Sequence, residues 1–391
     1  MTRLRIAILT HSVNPRGGVA HSLALGEALC ALGHEAVVHA PDPGGAGFYR
    51  RAACPTVRVA AQPVAGGTAE MVGARINDYV RHFAAPAACA FDVFHAHDGI
   101  GGNALATLAR RRLIPGFVRT VHHVDAFADP RLAYWTERSI VDAGAVLCVS
   151  RVWRGALQRE FGIDAACVGN GVDTGAFGPE PGPADAAVRA AWGLGRGPIL
   201  LAVGGFEARK NAHGIVAAFA RLRAERPDAQ LVVAGGASLL DHASYQACIR
   251  ADIDRLGLSL GPGCAVVPTG PVAQEAMPAL YRIADALLSP SLSEGFGLAV
   301  LEAMACGTPT VVSGIAPFTE YLTPADTEFV DPDAPEDIAR GLRAALRPDA
   351  ARRLRKAGLR IAGAHSWRAC AERHLPVYAA CVRRTPQPAV A

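Results

Sequence analysis

Short runs of wholly apolar residues alternate along this chain with longer stretches in which apolar residues recur every three or four positions. The short runs lack polar alternation and read as strands buried on both faces; the longer ones read as amphipathic helices that cover them. In the first half, strands are predicted at 5–9, 35–40, 93–95, 117–121 and 146–149, with helices between them. The second half repeats the theme at 199–203, 231–234, 265–267, 286–288 and 310–312. Strand and helix in strict alternation imply β-α-β units and mostly parallel sheets, so the expected architecture is α/β with two doubly wound, Rossmann-like domains. The segment 175–198, with its glycines and prolines, reads as a linker between a first domain at 1–174 and a second at 199–365. A last amphipathic stretch at about 366–383 offers Trp367, Leu375, Val377 and Tyr378 for packing, and the tail 385–391 reads as unstructured.

Composition agrees with that division. A chain of 391 residues exceeds the size at which one core keeps growing. At 51% apolar and 19% charged residues it can fill two cores. The formal net charge of +4 is small for this length and comes without basic runs interleaved with aromatics, which argues against a nucleic-acid partner. The basic residues are arginines except Lys210 and Lys356, which draws attention to the first of these. The ten cysteines are scattered with no C-x-x-C pair, so they read as small buried residues of a reducing compartment rather than a zinc site or a disulfide framework. The first residues enter a strand directly, and no apolar run reaches the roughly 18 residues that span a bilayer. A cytoplasmic protein is expected, with contact to a membrane surface left open.

The densest chemistry lies at 290–310, PSLSEGFGLAVLEAMACGTPT. Here a strand at 286–288 passes through a loop at 289–297 into a helix at 298–305, and Glu294 and Glu302 stand on either side of a Gly-Phe-Gly turn. The amides of Gly295, Phe296, Gly297 and Leu298 open that helix and are suited to a diphosphate. Glu302, about a turn into the helix, could accept hydrogen bonds from vicinal ribose hydroxyls, and Glu294 could meet the sugar. Taken alone, two glutamates near a helix start could equally be exposed charges that stabilise its dipole.

The full pattern, P-S-x-x-E-G-F-G-L-x-x-L-E-A-M-A-x-G-x-P, resembles the E-x7-E signature of retaining GT-B glycosyltransferases of family 4. The resemblance implies two Rossmann-like domains facing a central cleft, a nucleotide-diphosphate sugar as donor substrate, and no cofactor or metal. It also implies a C-terminal helix that returns to the first domain. Other segments fit the same template. In THSVNPRGGVAHSL, Gly17 and Gly18 open a helix and match the family's glycine loop at the donor phosphate. In GGFEARKNAHG, Lys210 matches a lysine on the leaving phosphates, whereas Gly205 stands where the family carries arginine; Arg209 is the residue that could supply the missing charge. Asn170-Gly171-Val172-Asp173 is similar to a turn near the hinge, and Thr269-Gly270-Pro271-Val272 to a loop beside the base.

Two histidine segments complete the set. FDVFHAHDGIGG places His95, His97 and Asp98 at the carboxyl end of a strand, where a metal-ligand role, a packed or helix-capping role, and an acceptor-side contact are all open. RTVHHVDAF places His122 and His123 after the next strand; either could donate to a sugar hydroxyl or be a satisfied structural histidine. The resemblance implies that His122 contacts the donor sugar and favours the packed, capping and acceptor-side readings of the His95–Asp98 segment over a metal; His97, Asp98 and His123 are expected on the acceptor side. Catalytic roles then fall to Glu294, His122 and Lys210, in a hexosyl transfer to an acceptor the sequence does not specify. A noncatalytic nucleotide-sugar binding protein and a GT-B epimerase or phosphorylase are the alternatives; a nicotinamide dehydrogenase lacks its glycine fingerprint.

Overall fold

A computed structural model describes residues 2–236 and 243–384; the tail at 385–391 lies outside the described residues. The chain divides into two compact units, one formed by Met1–Asn170 with Trp367–Ala391 and the other by Gly171–Ser366.

Unit 1 runs β1 (Arg5–Leu9), α1 (Gly17–Ala31), β2 (Glu35–Pro41), β3 (Thr56–Val59), α2 (Thr68–His82), β4 (Val93–Ala96), α3 (Gly99–Arg110), β5 (Val118–Val121), α4 (Pro130–Val141), β6 (Ala145–Cys148), α5 (Arg151–Phe161) and β7 (Ala166–Cys167). Among the described residues, seven parallel strands lie in the order β3-β2-β1-β4-β5-β6-β7. The interior strand β1 shows why its sequence carries no polar alternation. Ile6 and Ile8 point into one core with Val19 and Leu23 of α1, while Ala7 and Leu9 point into a second with Tyr79, Ala104 and Leu105 of α2 and α3.

Unit 2 begins with α6 (Pro183–Ala191) and continues through β8 (Ile199–Val203), α7 (Ala212–Glu225), β9 (Gln230–Ala234), α8 (Ala243–Arg255), β10 (Val266–Gly270), α9 (Met277–Ile283), β11 (Ala286–Ser289), α10 (Leu298–Ala305), β12 (Thr310–Ser313), α11 (Phe318–Tyr321), β13 (Glu328–Val330), α12 (Pro335–Ala345) and α13 (Pro348–Ala364). Its six described parallel strands take the order β10-β9-β8-β11-β12-β13. The last helix, α14 (Trp367–Arg384), belongs to unit 1, where Ala371, Leu375 and Tyr378 join the core that holds Ile6 and Ile8.

The segment 175–198 is not a free linker. It holds α6, with proline at its first turn, and the Asp185 carboxylate of that helix pairs with Arg282 of α9 at 2.5 Å. The boundary falls earlier, between Asn170 and Gly171. The chain leaves unit 2 beside its entry, since Val172 N–H donates to the His365 carbonyl at 2.9 Å and Val172 bridges to Ser366.

Candidate functional site

In unit 2 the strand order reverses between β8 and β11, and the loops that leave their carboxyl ends diverge there; open α/β sheets bind ligands at such switch points. Those two loops carry Lys210 and Glu294, and they are laced together. Leu292 N–H donates to the Arg209 carbonyl at 3.0 Å, and the Asn211 amide donates to the carbonyls of Pro290 at 3.1 Å and Pro332 at 2.7 Å. Asn211 sits in the left-handed region at φ 60°, which asparagine tolerates, and its oxygen caps α7 by accepting from Gly214 N–H. Its seat just before an apolar helix was the signal in the sequence for this loop-fixing role, which the sequence reading missed.

This lacing brings Glu294, Lys210 and Arg209 into one cluster. Lys210 Nζ lies 2.5 Å from Glu294 Oε2 and Arg209 Nη1 lies 3.3 Å from Oε1. Ser291 Oγ and the Gly295 N–H add further donors at 3.4 and 3.1 Å. The Glu294 side chain is 10% exposed, and burial alone would raise its pKa. The two cations and the hydrogen bonds overcome that and hold the carboxyl at about 2. The Gly295 amide, expected to face a phosphate, is engaged by this carboxylate instead.

Glu302 lies farther along α10 in a different environment. It is half-buried, and desolvation lifts its pKa to about 7 against the opposing hydrogen bond from the Tyr281 hydroxyl, which donates to Oε2 at 2.7 Å. Tyr281 is fully buried on α9, also packs its ring edge-on against Phe177, and was not picked out in the sequence. The available signal was a tyrosine in an apolar helix, whose hydroxyl needs a partner once buried.

Two glycines are required by the backbone. Gly297, at φ 101°, precedes α10, and a Cβ there would stand 2.5 Å from the Phe318 ring; Phe296 itself stacks on Tyr321 at 4.9 Å between centroids. No side chain caps this helix, and Leu298, half-buried, is its first residue. Gly205 has φ 73°, and a Cβ there would lie 2.9 Å from Gly236 Cα, so the loop after β8 leaves no room for the arginine that the resembled pattern carries. Arg209 supplies the second cation beside Lys210.

In unit 1 the order reverses between β1 and β4. The loop after β1 leads into Gly17 and Gly18, and a Cβ on Gly18 would touch the His122 ring at 3.7 Å. His122 Nε2 is 3.1 Å from His97 Nδ1. Around this pair the fold gathers more imidazoles than the sequence suggested. His21 of α1 has its ring centroid 5.0 Å from that of His97 and 4.8 Å from that of His122, and its Nδ1 is 2.9 Å from Asn170 Oδ1. His95 bonds Tyr378 and Thr120, and His374 of α14 packs beside both His21 and His95. Burial lowers the pKa of every one of them, to about 3 for His21 and about 4 for His374, and neighbouring imidazoles reinforce the effect at His21, His95, His97 and His122. The cluster is therefore neutral at physiological pH.

The other two predicted residues adjoin it in the chain and make different contacts. Asp98 caps α3 by accepting from Gly101 N–H at 2.8 Å, which realises the helix-capping alternative for this residue. His123 is exposed and pairs with Asp125 at 3.0 Å. Among the described residues, no group of three or more histidines, cysteines and carboxylates is placed to hold a metal ion, and no helix is long and apolar enough to cross a membrane.

Two doubly wound units, one with two cations paired to a carboxylate at its switch point, fit the GT-B class of glycosyltransferases. Comparison with known proteins gives the family: residues 186–360 match the model for glycosyl transferases group 1, and residues 15–176 match that for glycosyltransferase family 4. The chain is 30% identical over 317 residues, 76% of its length and 73% of the relative's, to a D-inositol 3-phosphate glycosyltransferase from Xylanimonas cellulosilytica. A 34% identical match to a GDP-mannose-dependent alpha-(1-6)-phosphatidylinositol monomannoside mannosyltransferase of Mycolicibacterium smegmatis covers 46% of this chain and 47% of that protein. In fold the chain is similar to a sucrose-phosphate synthase from Thermosynechococcus elongatus, with a TM-score of 0.77, 23% identity, and 97% and 99% of the two chains covered. The chain belongs to the group 1 glycosyl transferases.

Proposed function

We propose that the protein is a retaining glycosyltransferase that moves a hexose from a nucleotide-diphosphate sugar to an acceptor hydroxyl. The observation that carries this reading is the convergence of Lys210, Arg209 and Glu294 at the switch point of unit 2, with Glu302 on α10, the helix that follows the Glu294 loop. Breaking the bond from the anomeric carbon to the diphosphate leaves negative charge on the leaving group and an oxocarbenium-like sugar. Lys210 and Arg209 stabilise that charge, assisted by the N-terminal amides of α10 at Gly297 and Leu298. Glu302 holds the ribose hydroxyls, and Glu294 orients the sugar through its own hydroxyls. On unit 1, Gly17 and Gly18 are assigned to the donor phosphate, His122 to the sugar, and His97 and His123 to the acceptor. Asp98 acts on that unit indirectly, by fixing the start of α3. Retention follows if attack occurs on the face the diphosphate leaves and the departing phosphate takes the acceptor proton, which requires no carboxylate nucleophile. The reaction is placed in the cytoplasm, where nucleotide sugars and reduced cysteines coexist.

A screen of UDP-, GDP-, ADP- and TDP-sugars by thermal shift, with transfer followed over a panel of sugar phosphates, inositol phosphates and glycolipids, tests this reading. Stabilisation by one nucleotide family that Glu302→Gln removes, with release of the nucleoside diphosphate and an α-linked product from an α-linked donor, is the expected result. Binding without turnover across the panel would favour a noncatalytic nucleotide-sugar binding protein, and an inverted linkage would overturn retention.

A further inference from the structure

We infer that Glu294 makes the donor site discriminate a sugar nucleotide from a bare nucleoside diphosphate, by exchanging its carboxylate between the phosphate-binding cations and the sugar hydroxyls. The inference rests on the proposed assignment of Lys210 and Arg209 to the diphosphate and of Glu294 to the sugar. Its starting point is an accounting of donors. An ionised carboxylate has about four acceptor positions. In this structure Oε2 takes Lys210 Nζ at 2.5 Å and Ser291 Oγ at 3.4 Å, while Oε1 takes Arg209 Nη1 at 3.3 Å and the Gly295 N–H at 3.1 Å. That set leaves no acceptor position for a sugar, and both cations are already compensated.

A diphosphate at Lys210 and Arg209 therefore arrives beside a carboxylate that already occupies them. Two anionic groups sharing those cations in a site where the Glu294 and Lys210 side chains are only 10% and 17% exposed repel strongly. Glu294 must leave at least Lys210, and it is then a buried anion that has lost its strongest donor. A sugar nucleotide brings hydroxyl donors that replace the lost one. A nucleoside diphosphate, whose hydroxyls are those of the ribose at Glu302, brings none to the sugar position, so it displaces Glu294 without restoring its hydrogen bonds. The same exchange favours release of the nucleoside diphosphate after transfer, because Glu294 regains Lys210 as the sugar departs.

The test is equilibrium binding, by calorimetry, of UDP, GDP and ADP and of their glucose or mannose conjugates to the full chain and its variants. Glu294→Gln keeps the size of the side chain and removes the competing charge. It is expected to tighten binding of the preferred nucleoside diphosphate about tenfold or more, with no comparable gain for the sugar nucleotide, so the preference between the two falls by at least about tenfold. Glu294→Asp, which draws the charge back from Lys210, is expected to move both quantities in the same direction by a smaller factor, and it serves as the second variant should the first not fold. Unchanged or weakened nucleoside diphosphate binding in both variants would overturn the inference. Lys210→Ala separates the underlying assignment: loss of nucleoside diphosphate binding supports a diphosphate at Lys210, whereas unchanged binding refutes that assignment and the inference with it.

Discussion

Replacing Tyr281 by phenylalanine removes one hydroxyl and keeps the buried ring, so it isolates the 2.7 Å bond to Glu302. Glu302 is half-buried, and its carboxyl is lifted from 4.5 to about 7 by desolvation with the tyrosine bond opposing the rise. Hydrogen bonds to charged groups contribute about 1.5–3 kcal/mol. If Glu302 grips the ribose as an anion, Tyr281→Phe should raise the donor KM by about ten- to a hundredfold, with kcat changed by less than about threefold, the pattern of lost uniform binding. The pH dependence supplies a second readout. The ionised form accepts the ribose hydroxyls, so donor binding in the natural protein should weaken as pH falls through about 7. Without the tyrosine donor the anion is harder to maintain, and the inflection should move to higher pH. The assay is initial-rate kinetics with varied donor between pH 6 and 9, with thermal unfolding to verify the fold. A donor KM within about twofold of the natural value across that range, with an unmoved inflection, would refute the reasoning.

Four further outcomes follow from the same geometry. The raised pKa of Glu302 means that its anion destabilises the free protein above about pH 7, by up to about 3 kcal/mol; the stability is fully present below 4.5 and lost as pH rises through 7, so Glu302→Gln should melt higher than the natural protein at pH 8 and lose that advantage as pH falls below 4.5. The histidine cluster acts in the opposite sense. With His21 and His374 at about 3 and 4, the unfolded chain binds protons first, so unit 1 should lose stability as pH drops from about 6.5 toward 4, seen by calorimetry as an acid-sensitive transition that His21→Asn makes less steep. Gly205→Ala should cost about 1–3 kcal/mol of stability from its left-handed φ and its approach to Gly236, and Gly205→Arg should destabilise at least as much without tightening donor binding. Asp98→Ala should cost about 1 kcal/mol in chemical denaturation, and Asp98→Asn much less, since either oxygen can cap α3.

Much of the fold was legible because strands buried on both faces are uniformly apolar. The predicted strands at 5–9 and 199–203 and the helix at 298–305 coincide with β1, β8 and α10. The strands that went unseen, β3, β7 and β13, are short and lie at or near sheet edges, where half-exposed residues such as those of Thr56–Val59 dilute the apolar signal. Helix α6 was hidden for another reason: its flanking glycines and prolines mimic a linker, and what secures it is the distant Arg282.

The sequence by itself determined the two-domain α/β class, the apolar cores and the motif that carries Glu294, Glu302 and Lys210. Local spacing sufficed there because each feature is written within one strand-turn-helix unit. Only the tertiary structure decided the partners. Lys210 meets Glu294 across 84 positions because β8 and β11 are neighbours in the sheet, Tyr281 finds Glu302 because α9 packs on α10, His97 meets His122 because β4 and β5 are neighbours, and His374 reaches His21 because α14 returns to the first unit. Strand order and the return of α14 are long-range choices that hydrophobic periodicity does not encode. Those choices put a carboxylate, rather than open space, beside the lysine that the motif had marked for a phosphate.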